Sequence, residues 1–94
     1  MEERRRVPRT VELLELKEIN AQPGAGSFLL DYSPLGAKLE TPLTFAPGDC
    51  VEFSYLPPGQ EEEIRHWGKV IWVIPSPEKP GFSHLGVEFF RNLG

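Results

Sequence analysis

The sequence predicts an all-β fold, an antiparallel barrel or small sandwich built from six short strands. Proline placement is the first observation behind that expectation. Ten prolines and nine glycines make up about a fifth of the 94 residues. Proline lacks a backbone N–H and fixes φ, so helix interiors and central strands exclude it. The long proline-free windows are only 9–22, 24–33, 59–74 and 81–94, which argues against a helix bundle. Alternation is the second observation. Val51, Phe53 and Tyr55 share one parity while Glu52 and Ser54 share the other, the period of a half-buried strand. Composition sets the outer limits. With 39% hydrophobic and 26% charged residues, the chain reads as globular rather than disordered. No apolar run approaches the roughly 18–20 residues of a membrane-spanning helix.

The strands follow in order. Thr10–Ile19 is ambiguous, because Val11 and Leu13 alternate with Glu12 while Leu14 and Leu16 take the opposite parity. Leu and Glu also suit an amphipathic helix. A strand with a β-bulge near Leu13–Leu14 matches the neighbouring segments and is preferred. Ala21–Ser27 is a Pro- and Gly-containing turn. Ser27–Tyr32 and Ala37–Glu40 are short strands joined by Ser33-Pro34-Leu35-Gly36, and Thr41–Gly48 is a loop. Asp49–Tyr55 is a strand, Leu56–Glu63 a polar loop, and Arg65–Ile74 a longer strand with Gly68 a bulge or close-approach point. Pro75–Gly81 turns into Ser83–Phe90, where Leu85, Val87 and Phe89 are in phase.

The net charge of −4 is unevenly spread. Arg4, Arg5, Arg6 and Arg9 all precede the first strand, and the remaining 85 residues carry six basic against twelve acidic side chains. An acidic body with an arginine-rich arm suits a small anionic ligand and disfavours broad nucleic-acid binding. The first ten residues have no apolar stretch after their basic cluster, so they do not read as a secretory signal. Cys50 is the single cysteine; it offers no intrachain disulfide and fits a reducing, cytoplasmic setting.

Two constellations carry chemistry. In Arg5-Arg6-Val7-Pro8-Arg9, guanidinium groups match phosphate oxygens and stack on flat rings, and Pro8 stiffens the chain between them. In Asp31-Tyr32-Ser33-Pro34-Leu35-Gly36, a carboxylate accepts from paired donors such as a guanine edge. There Ser33 adds a hydroxyl, and Gly36 permits positive φ and close backbone approach. A plain Asx or Ser turn is the bland counterpart. Elsewhere, His66, His84 and Cys50 form no recognised metal spacing, so no metal is expected. Asp31, Ser33 and His84 have triad residue types with nothing fixing their geometry. Trp67, Trp72, Phe45 and Phe53 offer a base-stacking platform, although alternating strands place such residues in a core.

Taken together, Arg5-x-x-x-Arg9 and Asp31-x-Ser33-x-x-Gly36 resemble the signature motifs of the PilZ domain family. Ala37-Lys38-Leu39-Glu40, Pro47-Gly48-Asp49, Gly68-Lys69-Val70-Ile71-Trp72 and Gly86-Val87-Glu88-Phe89 resemble its strands in the same order. The resemblance implies a six-stranded antiparallel β-barrel of split-barrel type, a stand-alone single domain over residues 1–94. Residues 1–10 would be a flexible ligand-binding arm and 11–90 the barrel. It implies a non-enzymatic receptor for cyclic di-GMP, a bacterial second messenger, with no further cofactor. Arg5 and Arg9 would meet its phosphates and guanine Hoogsteen edges, Asp31 a guanine donor edge, and Ser33 and Gly36 the pocket lining. Arg4 resembles the version of its position that favours a stacked ligand pair. Many members add a helix after the last strand, for which this chain has little room.

The expected role is therefore a cytoplasmic adaptor in motility, biofilm or exopolysaccharide control. It would change conformation or contacts with a downstream protein when the arm orders on the ligand. Neither DNA, RNA nor membrane insertion is expected. The competing readings are a PilZ-fold interaction module without nucleotide binding and a small barrel for single-stranded nucleic acid.

Overall fold

The computed structural model describes residues 13–90. Its strands are β1 (Leu14–Glu15), β2 (Glu18–Ile19), β3 (Gln22–Pro23), β4 (Phe28–Tyr32), β5 (Gly36–Thr41), β6 (Cys50–Tyr55), β7 (Ile64–Pro75) and β8 (Ser83–Phe89). They form one antiparallel sheet of order β1-β4-β5-β8-β7-β6-β2-β3, and no helix occurs among the described residues. The all-β expectation holds in outline and is corrected in detail. The sheet has eight strands instead of six, and it curls into a half-barrel instead of closing into a barrel.

The extra strands have a local cause. The expected first strand, bulged near Leu13–Leu14, is instead broken by a bend at Leu16–Lys17 into β1 and β2. β1 pairs with β4 at one end of the sheet, and β2 pairs with β6 near the other. At the bend, the Leu16 N–H donates to the Ser27 carbonyl and the Lys17 N–H to the Ser54 carbonyl, both at 2.8 Å. One short stretch thus holds both ends and bends the sheet around the core. Leu13, expected on the buried face, is 54% exposed, whereas Leu16 and Ile19 are buried. The second addition, β3, lies in what reads as a turn. Pro23 is tolerated there because β3 is an edge strand.

The concave side carries Leu16, Ile19, Leu29, Leu39, Val51, Phe53, Tyr55, Val70, Leu85 and Val87, all buried. The alternation read in β6 and β8 is confirmed, with two exceptions, Gly86, which is buried beneath the Trp72 indole, and Ser54. Ser54 has the outward parity yet is fully buried. It sits in register between Glu18 and Arg65, whose side chains join at 2.9 Å.

The β2–β3 hairpin turns on Asn20 (φ 50°) and Ala21 (φ 64°). Positive φ at both central residues matches a type I′ turn, which favours Asn-Gly. Asn20 suits its place, and its side-chain oxygen accepts from the Glu52 N–H at 2.9 Å. Ala21 pays for its Cβ in a left-handed conformation that costs an L-residue roughly 1–2 kcal/mol. Glycine regains part of this and loses part to greater unfolded-state entropy. Ala21→Gly is expected to stabilise the protein by about 0.5–1 kcal/mol, raising the thermal midpoint by several degrees. An unchanged or lower midpoint would contradict the strain.

Candidate functional site

The second motif lies on the β4–β5 hairpin. A bulge between Leu29 and Asp31 shifts the register, so that Asp31 pairs with Lys38 and Tyr32 with Ala37. Leu29 and Leu39 stay buried as a pair while Asp31 and Lys38 are both exposed. The connection closes with the Ser33 N–H donating to the Gly36 carbonyl at 2.8 Å. Ser33 Oγ accepts from the Leu35 N–H at 3.2 Å. That bond is the plain Ser turn, and it uses an oxygen lone pair, leaving the hydroxyl proton free to donate. The Phe89 N–H donates to the Leu35 carbonyl at 2.9 Å, anchoring the turn to the end of β8.

Gly36 serves a different purpose from the one its position suggests. It is not among the glycines with positive φ. A Cβ placed there would collide with the Val87 carbonyl oxygen. The glycine is needed for close approach of β5 to β8. Gly68 likewise marks a close approach, since its Cβ would lie 2.5 Å from the Glu88 carbonyl oxygen. The bulge in that strand falls between Val70 and Trp72.

A cleft of about 460 Å³ opens beside this hairpin, lined by Asp31, Tyr32, Ser33, Leu35, Gly36, Ala37 and Lys38. Ile71 and Trp72 of β7 and Gly86, Val87 and Glu88 of β8 line it from the other side. Its size suits a small-molecule site. The β7 bulge exposes both Ile71 (49%) and Trp72 (37%). The Trp72 indole occupies the space that a side chain at Gly86 would need. Register carries a row across four strands, Asp31 to Lys38 to Gly86 to Trp72.

Three of the expected site residues, Asp31, Ser33 and Gly36, meet in this cleft. The other three, Arg4, Arg5 and Arg9, lie outside the described residues. The structure adds Lys38 and Trp72. Trp72 was legible only as an aromatic that either stacks on a base or fills a core, and the bulge decides for the cleft. Of the other platform candidates, Trp67 is 54% exposed and Phe53 fully buried, while Phe45 packs against the core.

The histidines have structural partners. His84 Nε2 donates to Glu40 at 3.0 Å, and Lys79 Nζ lies 3.0 Å from the same carboxylate. Burial pushes the Glu40 carboxyl up, but bonds from Lys79 and His84 outweigh this and leave it below its ordinary range. Lys79 also lies over the Phe28 and Phe82 rings, clamping the β7–β8 connection onto β5. His66 stacks on Phe89 with ring centroids 4.1 Å apart, and burial lowers its pKa. His84 is not among the cleft residues, so the triad types are not assembled there. Among the described residues no group of His, Cys, Asp and Glu is arranged to hold a metal ion. No described helix is long and apolar enough to cross a membrane.

The family model for the PilZ domain matches residues 2–94, nearly the whole chain. The chain belongs to the PilZ domain family. PilZ domains are cyclic di-GMP-binding or adaptor modules, known as non-enzymatic receptors that work through protein partners. Searches of curated proteins and of solved structures found no match to this PilZ domain.

Proposed function

We propose that this PilZ domain is a bacterial, cytoplasmic receptor that binds cyclic di-GMP without turning it over and passes the signal to a protein partner. The supporting observation is the cleft that Asp31, Ser33 and Gly36 share with Trp72. Asp31 supplies an acceptor for a guanine's N–H groups and Ser33 a hydroxyl donor. The indole offers a flat face on which a purine stacks, an interaction of about 1–3 kcal/mol in nucleic-acid complexes. Gly36 keeps the hairpin tight against β8. Arg5 and Arg9 bring the charge for the two phosphates, which the acidic body lacks, and Arg4 favours a stacked pair of ligands. In this reading residues 1–10 act as the ligand arm of a single domain whose sheet spans 11–90, and ligand binding changes what the arm presents to a partner.

Isothermal titration of the full chain with cyclic di-GMP tests the reading, with Arg9→Ala and Asp31→Ala alongside. Wild-type protein is expected to saturate. Each variant removes charge-assisted hydrogen bonds of about 1.5–3 kcal/mol and so loses roughly 10–100-fold in affinity. Two ligands per chain would support the role given to Arg4. A folded wild-type protein that takes up no cyclic di-GMP would sink the receptor reading and leave the interaction module without nucleotide binding.

A further inference from the structure

The cleft contains a cation that neither signature motif includes. Lys38 is the one positively charged side chain among the described residues lining it, against Asp31 and Glu88. It is exposed at the middle of β5 and makes no ion pair among the described residues. Its neighbours in register are Asp31 on β4 and Gly86 on β8. Gly86 contributes no side chain, and the Trp72 indole takes the space above it, on that side of the lysine. Trp72 lies one strand further along the same row.

We infer that Lys38 is a specificity residue that reads guanine O6 beside Asp31, which rests on the receptor reading above. Guanine presents an acceptor, O6, next to two donors, N1–H and the 2-amino group. A carboxylate takes both donors, and an ammonium beside it donates to O6. Directly paired residues on adjacent antiparallel strands have Cβ atoms about 4.5–5.5 Å apart, close enough for both heads to reach one base edge. The β4 bulge creates this pair. Without it, Leu30 would stand opposite Lys38, and Asp31 would take the inward parity of Ala37. The Trp72 indole lies over Gly86, one strand spacing of about 4.8 Å from Lys38, so a purine stacked on it comes beside the lysine. Adenine reverses the pattern, since it puts an amino group against the ammonium and a ring acceptor against the carboxylate. Sites built around specific hydrogen bonds reject such analogues strongly.

The test is titration of wild type, Lys38→Met and Lys38→Arg with cyclic di-GMP and with cyclic di-AMP, each protein first checked by thermal melting. Methionine keeps the aliphatic stem and removes the charge, so the fold should be unaffected. Wild type is expected to prefer cyclic di-GMP. Lys38→Met should lose about 10–100-fold for that ligand and little for cyclic di-AMP, so that the preference narrows by the same factor. Lys38→Arg should keep most of it. Equal losses for both ligands would reduce Lys38 to a general charge and overturn the inference, as would no loss for either. Wild-type protein silent toward both would instead remove the receptor reading itself, before any variant is compared.

Discussion

Phe53→Ala is expected to cost about 3–5 kcal/mol, the range for deleting a buried aromatic side chain. Phe53 is fully buried and stands in register between Ile19 of β2 and His66 of β7. Its ring lies 6.2 Å from Tyr55, 5.5 Å from His66 and 6.3 Å from Phe89, centroid to centroid. Alanine therefore leaves a void where β2, β6, β7 and β8 converge. It also loosens β2, which holds one end of the curled sheet. Small domains keep only about 5–15 kcal/mol of net stability, so the loss takes a large share. At roughly 4–8 °C per kcal/mol for a domain near this size, the thermal midpoint should fall by more than about 12 °C. Phe53→Leu, which keeps most of the volume, should fall much less. A drop of only a few degrees for alanine would show that the sheet closes on other contacts.

The same residue shows what was legible in the sequence. Alternation in β6 and β8 identified inward and outward faces, because neither strand carries a bulge of its own; the register shift against β8 comes from an extra residue in β7. Where register shifts, parity reading fails. Counting by twos from the buried Val70 puts Trp72 in the core, and the β7 bulge turns it out into the cleft. The β4 bulge does the same for Asp31. Two-residue strands carry no period at all, so the break at Leu16–Lys17 could not be seen. Ser54 reads as solvent-facing, since the ion pair joining its flanking residues links β2 to β7, far apart in sequence. For the site, Asp31, Ser33 and Gly36 were legible through their spacing. Lys38 was not, because an outward lysine on a short strand looks like any solvated residue until Gly86 and Trp72 are known to lie beside it.

Gly36→Ala is expected to weaken both the fold and the cleft. The added Cβ meets a backbone oxygen, Val87 O, with the Val87 carbonyl carbon 3.3 Å and Glu88 Cα 3.5 Å away. Backbone inside a paired strand cannot swing aside as a long side chain can, so β5 and β8 must part locally. Overpacking of this kind costs about 1–3 kcal/mol. The displacement falls where the Gly36 carbonyl closes the Ser33 turn and the Leu35 carbonyl holds Phe89, moving Ser33 and the wall carrying Asp31 together. Under the receptor reading, affinity for cyclic di-GMP should fall at least tenfold even below the melting transition, measured by titration at low temperature. Asparagine separates the two accounts of this glycine. A left-handed residue would accept Asn with little penalty, because Asn tolerates that conformation. A residue excluded by the Val87 carbonyl rejects Asn as strongly as Ala. Gly36→Asn should therefore melt no higher than Gly36→Ala, and near wild-type stability for Asn would return the glycine to a purely conformational role.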